Sequence, residues 1–472
     1  MKYIPVIDLF AGPGGLGEGF DSSPSASVNL SFRIALSIEC DPWAHRTLEL
    51  RSFFRQFPEG KAPQDYYEYL RGKVRREQLF AAYPRQAKAA AAVARKAKLG
   101  EEDPDVVDGW IHQALGPAGK TGKWVLVGGP PCQAYSLVGR ARRSRESRKK
   151  FESDERHSLY KEYLRILKVH QPAVFVMENV KGILSASLGG ERIFGKICND
   201  LSAAGYNLHS LSGDSVKEST GSWNPASFVV CAERHGIPQA RHRVFIVGVR
   251  RGMGGDINPL SCALAPMTVQ DAIGDLPRLK SLLSKKRGST RGSWEKARGI
   301  GLTLAKHVSG GATKQCMNRF RSRSLKAEEP LNHEARGHIC EDISRYAFVA
   351  EFAIRNGRSP TLADFPKQLL PKHRNVSRRN GDVPFADRFR AQMANKPSST
   401  ITSHISKDGH YYIHPDPLQA RSLTVREAAR LQTFPDDYFF EGPRTEQYRQ
   451  VGNAVPPLLA ALIAGLISEI LH

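Results

Sequence analysis

The chain reads Val125-Leu126-Val127-Gly128-Gly129-Pro130-Pro131-Cys132-Gln133, an apolar run that stops at two glycines and two prolines and then presents a cysteine. The apolar run predicts a buried strand, and the prolines stiffen the turn that follows it. A thiol at the carboxyl end of such a strand lies where open α/β sheets bind their ligands, so Cys132 is a candidate nucleophile. A thiol attacks as the thiolate, so this role needs positive charge nearby. The alternative is a small buried cysteine that fills core space.

A glycine-rich turn follows another apolar strand at the amino terminus. The strand Val6-Ile7-Asp8-Leu9-Phe10 leads into Ala11-Gly12-Pro13-Gly14-Gly15-Leu16-Gly17, which matches G-x-G-x-x-G and lets a ligand approach the backbone closely. The next predicted strand, Ile34-Ala35-Leu36-Ser37-Ile38, ends at Glu39, about twenty residues on, which is the spacing of an acid that binds ribose hydroxyls. These features together predict a nucleoside cofactor, with a dinucleotide or a purely structural turn as the alternatives.

Two further polar motifs flank predicted strands. Glu178-Asn179-Val180 ends the strand-like run Pro172–Met177, so its carboxyl group would lie at the same sheet edge as Cys132. An ordinary solvated glutamate is the alternative. Arg241 and Arg243 alternate just before the next apolar strand, which places both guanidinium groups on one face and suits an anionic or carbonyl-rich substrate.

In this order the motifs resemble those of the cytosine-C5 DNA methyltransferases. The matching blocks are the glycine turn after Asp8-Leu9-Phe10, Pro130-Pro131-Cys132-Gln133, Glu178-Asn179-Val180, Gln239-Ala240-Arg241-His242-Arg243, Arg426-Glu427-Ala428-Ala429-Arg430 with Phe434-Pro435, and Gly452-Asn453-Ala454-Val455-Pro456-Pro457. They cover roughly the first 250 residues and the last 75, whereas residues 55–122 and 251–390 match no block. The resemblance implies an α/β fold, namely a Rossmann-like class I S-adenosylmethionine-dependent methyltransferase sheet with a smaller target-recognition domain.

The resemblance also implies a covalent mechanism. Cys132 would add to C6 of cytosine, Glu178 would act at N3, and Arg243 would hold O2, while Arg241 would help to orient the base and the thiolate. Methyl transfer from S-adenosyl-L-methionine to C5, loss of the C5 proton and elimination of the cysteine would release 5-methylcytosine and S-adenosyl-L-homocysteine. The implied catalytic residues are Cys132, Glu178, Asn179, Arg241 and Arg243.

A cofactor pocket, without a metal, follows from the same resemblance. Its members are Phe10, Gly12, Gly14, Leu16, Glu39, Cys40, Asp65, Pro130, Asn453 and Val455. Phe10 would lie against the adenine, the turn backbone would face the methionine end, and Glu39 would bind the ribose. Two positions depart from the family pattern. Cys40 stands where a bulky residue is common, and Asp65 is our assignment for the acid that contacts the adenine amino group.

The expected substrate is double-stranded DNA, whose cytosine must be rotated out of the stack before it can react. The basic segment between Cys132 and Lys150 suits this task, although a solvated basic loop is the alternative. The residues expected to contact DNA are Gln133, Ser136, Arg140, Arg142, Arg143, Arg156, Gln239, Thr400 and Ile401. We expect a monomer on DNA, with a cognate restriction or defence complex as a further partner.

The composition favours a polyanionic partner. The 69 Lys and Arg residues against 47 Asp and Glu leave a formal net charge of +22, which predicts salt-sensitive binding. A ribosomal or membrane-surface protein would share this charge but would not need the motifs. Seven cysteines without a C-x-x-C pair argue against a zinc site and a disulfide framework, and so indicate a reducing compartment.

The ends of the chain predict neither a signal peptide nor a membrane anchor. Met1-Lys2-Tyr3 leads straight into a predicted strand, and the apolar run Leu458–Leu471 is too short to span a bilayer. We therefore expect the protein in the bacterial cytoplasm, at the nucleoid when it is bound to DNA.

The domain organisation expected from the motifs has three parts. Residues 1–250 would form the catalytic and cofactor-binding domain, with a basic helical insertion at about 55–122 that includes a helix from Gln86 to Lys98. Residues 251–395 would form the target-recognition domain, which is strongly basic from Lys280 to Lys326, and residues 396–472 would return to the catalytic domain.

The function expected from the sequence is DNA cytosine-5 methylation, for host DNA protection in a restriction-modification or related phage-defence system. Two alternative activities stay open: a tRNA cytosine-5 methyltransferase, which would share the catalytic blocks, and a catalytically silent DNA-binding homologue. A DNA methyltransferase that acts alone as a regulator is the alternative to host protection. The long basic segment before residue 395 favours DNA over tRNA.

Overall fold

The computed structural model describes residues 2–22, 30–131, 156–188, 191–284, 293–305, 330–371 and 386–472. Its strands are β1 (Lys2–Leu9), β2 (Leu30–Glu39), β3 (Ala94–Lys96), β4 (Val125–Gly128), β5 (Val174–Val180), β6 (Ser187–Leu188), β7 (Glu191–Arg192), β8 (Tyr206–His209), β9 (Val229–Cys231), β10 (Gln239–Ala240), β11 (His242–Arg250) and β12 (Ser398–Ser399). The chain forms two compact units. The first comprises Met1–His235, Arg241–Leu264 and Ala454–His472, and the second comprises Gly236–Ala240 and Ala265–Asn453.

The helices of the first unit surround its sheet, and those of the second unit form most of that unit's regular structure. They are α1 (Gly15–Asp21), α2 (Pro42–Phe54), α3 (Gln64–Leu70), α4 (Arg76–Ala82), α5 (Pro84–Val93), α6 (Pro104–Leu115), α7 (Pro117–Thr121), α8 (Arg156–His170), α9 (Ile193–Ala203), α10 (Val269–Ile273), α11 (Trp294–Ala305), α12 (Cys340–Asn356), α13 (Val425–Leu431), α14 (Arg444–Asn453) and α15 (Pro457–Leu471). Short 3₁₀ helices include Lys181–Ser185 and Ala232–His235.

The first unit is built on one mixed sheet with the strand order β3-β2-β1-β4-β5-β11-β8, and β9 also pairs with β11. Strands β3, β2, β1, β4 and β5 are mutually parallel, whereas β11 is antiparallel to its neighbours. The register aligns Leu9 with Gly128, Gly128 with Met177, and Val180 with Arg243. The carboxyl ends of the parallel strands and the amino end of β11 therefore meet at one edge. This is the expected α/β architecture with a mostly parallel sheet.

The central parallel strands β4 and β5 carry buried apolar runs, as expected where helices cover both faces of a sheet. Val125, Leu126 and Val127 are fully buried, as are Val174 and the other apolar residues of β5 that precede Met177. The core against one face includes side chains from α6, α8 and α9, among them Ile111, Ile166 and Leu201. This packing holds the strand ends, and the turns that follow them, at fixed positions.

The last helix packs directly against the first. A Cβ atom on Gly19 would lie 2.2 Å from the Pro457 carbonyl oxygen and 2.4 Å from the Ala460 Cβ, and one on Gly15 would lie 2.1 Å from the Val455 carbonyl oxygen. Only glycine permits the two helices to lie so close together. The glycines of α1 therefore allow the last helix of the chain to pack against the helix that follows the first strand of the sheet. Among the described residues, Arg444–Leu471 has the length and apolar composition of a membrane span, but 61% of its most apolar window is buried, as in a core helix.

The insertion differs in one element from the sequence prediction. The expected helix Gln86–Lys98 ends at Val93, and Ala94–Lys96 forms the edge strand β3. This strand pairs in parallel with the end of β2, where Glu39 lies opposite Lys96. Helix propensity is a weak preference, and here the hydrogen bonds offered by the open edge of β2 outweigh it.

The two units also divide the chain differently from the expected domains. Residues 251–264 belong to the first unit, and the second unit continues through 396–453, so the chain returns to the first unit at Ala454 and not at residue 396. The physical reason is visible in α13, whose Arg430 donates to the Ala272 carbonyl of α10 at 3.1 Å and pairs with Asp436. The block around Arg430 therefore stabilises the second unit.

Candidate functional site

The glycine turn between β1 and α1 has an unusual backbone. Phe10, Gly12 and Gly14 all have positive φ, at 55°, 57° and 90°. Glycine adopts this region freely, but a phenylalanine does so at a cost in strain, which is characteristic of residues at functional sites. Gly14 is also the residue that precedes α1, so the turn presents backbone amides at the amino end of a helix. Leu16, one of the predicted pocket residues, is buried in the first turn of α1.

Glu39 closes this turn from the neighbouring strand. Its Oε2 accepts a hydrogen bond from the Gly12 amide at 2.7 Å, and its Oε1 accepts one from the Asp41 amide at 2.7 Å. Because a carboxylate has about four acceptor positions, these two bonds orient it and leave capacity for hydroxyl donors. The structure thus brings together two residues, Gly12 and Glu39, that the sequence assigned to one cofactor pocket.

A buried carboxyl group that the sequence analysis did not assign lies under the turn. Asp8, on β1, is fully buried, and a Cβ on Gly17 would lie 3.1 Å from its Oδ2. Burial raises the pKa of Asp8 to about 8, the Gly17 backbone opposes this shift in part, and Glu39 reinforces it. An acid inside an apolar strand, directly before the glycine turn, was the sequence signal that could have identified it.

Glu178 and Arg243 form a pair at the sheet edge. Arg243 Nε lies 3.1 Å from Glu178 Oε1, and each side chain is only 14% exposed. Burial lowers the pKa of Arg243 and the Glu178 carboxylate opposes that shift, but an arginine keeps its charge in proteins. The antiparallel β11 is what places Arg243 beside the end of β5.

The turn before Cys132 packs against Glu178 and Asn179. A Cβ on Gly129 would lie 3.0 Å from Glu178 Oε2, so the backbone of this turn passes close to the carboxylate. Asn179 Nδ2 donates to the buried Pro130 carbonyl at 3.2 Å, while its Oδ1 accepts from the Val180 amide at 2.8 Å. Asn179 therefore holds the turn that leads to the predicted nucleophile.

Arg241 has a different setting from Arg243. It is buried, with 2% exposure, and its Nη2 donates to the Ala454 carbonyl at 2.8 Å. This contact fixes the chain just before Val455, whose carbonyl lies against the glycine turn. The structure thus gives Arg241 a positioning role in the first unit, in addition to the role beside the base expected from the sequence.

Several predicted residues lie outside the described part of the chain. They are Cys132, Gln133, Ser136, Arg140, Arg142 and Arg143. Arg156 begins α8, but its side chain is not among those described.

Asp65 is not brought to the glycine turn. It lies on α3, where it accepts a hydrogen bond from the Tyr83 hydroxyl at 3.2 Å. The adjacent Tyr66 packs on Phe53 and Phe54, in the last turn of α2. At 1.5 Å per residue this turn is about 18 Å along α2 from the strand edge. The chain after β3 occupies the nearer position, because the Ala97 amide donates to the Glu39 carbonyl at 3.2 Å.

Cys40 has the properties of a passive residue. It is exposed directly after Glu39, and partial burial of the sulfur together with the Glu39 carboxylate raises the pKa of its thiol to about 11. The thiol is therefore protonated at neutral pH and is a poor nucleophile.

The four remaining predicted residues belong to the second unit. Gln239 is fully buried, and its amide binds the Leu431 carbonyl and the Ile401 backbone amide, so the expected DNA contact is replaced by a structural role. Ile401 is fully buried, which likewise leaves no exposed surface for DNA. The Thr400 hydroxyl donates to the Ala240 carbonyl at 2.6 Å, and Asn453 is exposed at the end of α14.

Comparison with known proteins finds a matching family and relatives that are named methylases or methyltransferases. The family described as C-5 cytosine-specific DNA methylase matches residues 123–469. The chain is 35% identical to the type II methyltransferase M.Bpa9945I of Bacillus paralicheniformis, over 99% of both chains. It is 33% identical to the type II methyltransferase M1.HphI of Haemophilus parahaemolyticus, over 98% of this chain and 86% of that one.

The fold is also similar to that of a solved structure. A DNA modification methyltransferase encoded within an E. coli prophage superposes with a TM-score of 0.58 over 99% of both chains, at 20% sequence identity. At this identity the similarity concerns the fold alone.

Proposed function

Because this chain belongs to the C-5 cytosine-specific DNA methylase family, we propose that it methylates C5 of a flipped-out cytosine within a specific DNA sequence, through a covalent Cys132 adduct at C6. The enzyme is a DNA (cytosine-5)-methyltransferase. The observation that carries the finer proposal is the Glu178–Arg243 pair, held at the sheet edge against the turn that leads to Cys132.

The pair suits a neutral base that gains charge during attack. When the Cys132 sulfur bonds to C6, electron density moves towards N3 and O2 of the ring. Glu178 would donate the proton of a hydrogen bond to N3, and Arg243 would stabilise the charge at O2. Because Arg243 is largely buried, its positive charge acts in a low dielectric, where electrostatic stabilisation is stronger than in water.

The later steps restore the catalyst. After C5 has accepted the methyl group, its proton leaves to a base, and the electrons of the broken C5–H bond expel the sulfur from C6. The products are 5-methylcytosine in DNA and the Cys132 thiolate. Asn179 would keep the Cys132 turn in place during both steps through the Pro130 carbonyl.

The glycine turn fits S-adenosyl-L-methionine, which supplies an electrophilic methyl group when it is bound. The left-handed backbone exposes the turn at the strand edge, and Glu39 faces it. We assign the pocket to Phe10, Gly12, Gly14, Leu16, Glu39, Cys40, Pro130, Asn453 and Val455. At the adenine end we replace Asp65 with the chain that follows β3, which lies beside Glu39.

DNA is the substrate of this family, and the details of its binding are proposals. The +22 net charge supports wide electrostatic attraction to the duplex. We assign the contacts to Gln133, Ser136, Arg140, Arg142, Arg143, Arg156 and Thr400, on a protein that binds as a monomer.

The biological setting is proposed from the names of the relatives. M.Bpa9945I and M1.HphI are type II methyltransferases, a class that belongs to restriction-modification systems. We propose that this enzyme protects host DNA in the bacterial cytoplasm beside a cognate restriction or defence complex.

The test is bisulfite sequencing of plasmid DNA from cells that express the wild-type chain or the Cys132→Ala variant. We expect protected cytosines in one recurring sequence with the wild type and none with Cys132→Ala, while the variant still binds DNA. Protection by the variant would contradict the covalent mechanism. No protection by either chain, with incorporation of labelled methyl groups into tRNA, would replace the DNA proposal with the tRNA alternative.

A further inference from the structure

Three potential metal ligands lie together where β9 pairs with the start of β11. Cys231 ends β9, and the register places it directly opposite His242. Glu233 follows in the 3₁₀ helix Ala232–His235, and its Oε1 lies 2.7 Å from His242 Nε2. The sulfur, one carboxylate oxygen and one imidazole nitrogen all lie within 4.8 Å of one another.

The backbone around this cluster is well held. The antiparallel ladder pairs Arg243 with Val230 as well as His242 with Cys231, and the Ala232 amide donates to the Arg241 carbonyl at 3.0 Å. Cys231 and His242 are therefore fixed by strand pairing, so little backbone entropy is lost at these two residues when a cation binds.

One buried oxygen atom of the cluster lacks a hydrogen-bond partner among the described residues. Glu233 Oε2 is buried, yet no described residue gives it a hydrogen bond. An unpaired buried carboxylate oxygen is costly, and a bound cation removes that cost. A simple ion pair between His242 and Glu233 accounts for the position of Oε1. It does not account for the burial of Oε2 without a partner or for the nearby Cys231 thiol.

The donor set selects a class of cation. Thiolate, imidazole and carboxylate together are the ligands of Zn²⁺ and similar transition metals, whereas Mg²⁺ and Ca²⁺ prefer oxygen alone. Arg234 and Lys181 also act on the Cys231 side chain with positive charge, which disfavours a cation held by charge alone. A cation that forms a strong bond to sulfur can overcome this repulsion.

We propose that Cys231, Glu233 and His242 bind one Zn²⁺-class cation, with a fourth position open to water. The thiol gives up its proton to solvent when it coordinates. The site fixes the start of β11, where the residue after His242 is Arg243 of the candidate active site. It is independent of the methyl-transfer proposal. It differs from the sequence expectation of no zinc because two of its ligands come from paired strands and the third from a 3₁₀ helix, and not from a C-x-x-C pair.

The test is calorimetric titration of the metal-free full chain with ZnCl₂. We expect about one cation per chain, and we expect Cys231→Ser and His242→Gln each to weaken binding at least about tenfold. The matched control is Cys262→Ser, which removes an exposed cysteine outside the cluster and should leave the affinity unchanged. MgCl₂ at the same concentration should give no binding heat.

Cobalt substitution separates this site from the candidate nucleophile. With CoCl₂, thiolate-to-cobalt charge-transfer absorption should appear in the wild type and in Cys132→Ala but not in Cys231→Ser. Circular dichroism verifies that Cys231→Ser is folded. The proposal is overturned if the folded wild type binds no zinc, if Cys231→Ser binds it as tightly as the wild type, or if the cobalt signal depends on Cys132 and not on Cys231.

Discussion

Glu178 and Arg243 are held 3.1 Å apart in a largely buried pair at the sheet edge. Replacing Glu178 with Gln removes the carboxyl group at N3 while nearly preserving its shape. We expect kcat for methyl transfer to fall by about 10²- to 10⁴-fold, with cofactor affinity unchanged, because the carboxyl group acts mainly in the transition state. Initial rates of methyl incorporation and calorimetric cofactor binding measure the two quantities.

The control for this variant is Glu218→Gln, which makes the same change on an exposed loop of the first unit. Its rate should equal that of the wild type. A Glu178→Gln enzyme with a normal rate would remove Glu178 from the mechanism.

Asp8 predicts a dependence of stability on pH. Its pKa is about 8 in the folded chain, whereas an unfolded aspartate titrates at about 3.9. Between these values the folded state holds more protons than the unfolded state, so Asp8 lowers the free energy of unfolding as pH rises from about 4 to 8. Asp8→Asn should remove this decrease in the free energy of unfolding. The decrease amounts to a few kcal/mol at pH 8 and much less at pH 5.

Urea unfolding at pH 5 and pH 8 measures this effect. Asp214→Asn, on an exposed loop, is the control and should leave the pH dependence as it is in the wild type. An identical pH dependence in Asp8→Asn and the wild type would show that Asp8 is ionised in the folded chain at both pH values.

At the scale of elements, the contact between α1 and α15 depends on glycine. Gly19→Ala would place a methyl group 2.2 Å from the Pro457 carbonyl oxygen, so the helices must separate. We expect the free energy of unfolding to fall by about 1–3 kcal/mol or more, through overpacking. Cofactor affinity should also fall, because the same packing places Val455 against the glycine turn.

Gly465→Ala is a matched control within α15. Its new Cβ would have no atom within 4 Å, so it should stabilise the helix by up to about 1 kcal/mol. Thermal unfolding of both variants tests the pair. Equal effects of the two substitutions would mean that α1 and α15 are not in close contact.

At the scale of the whole molecule, the position of basic residues should decide the salt dependence of DNA binding. If Arg140, Arg142 and Arg143 contact phosphates, their joint replacement with Ala should reduce the slope of log Kobs against log salt by roughly 2.7 at most. Fluorescence anisotropy over a salt series measures this slope.

The charge-matched control is the triple alanine variant of Lys120, Lys123 and Lys168. These exposed lysines precede the amino ends of β4 and β5, at the opposite edge of the sheet. The control should change the slope much less. An equal change in both variants would indicate a general field effect in place of direct contacts from the loop.

The family and the sheet type were predictable because their signals are continuous in the sequence. Each motif can be interpreted from its own residues, and the order of the motifs resembles that of one family. These motifs are the apolar strand Val125–Gly128, the glycine turn and the segments around Glu178 and Arg243. Strand ends in a parallel sheet meet at one edge, so the meeting of Gly12 with Glu39 could be expected without coordinates.

Other features depend on residues far apart in the chain, and only the folded protein shows them. The open edge of β2 turns Ala94–Lys96 into a strand, and packing on α2 holds Asp65 away from the glycine turn. The carbonyl of Ala454, more than 200 residues away in the sequence, accepts a hydrogen bond from Arg241. Strand pairing alone brings Cys231 opposite His242. Local propensity cannot predict these outcomes, because each is decided by the hydrogen bonds and the packing space that a distant segment provides.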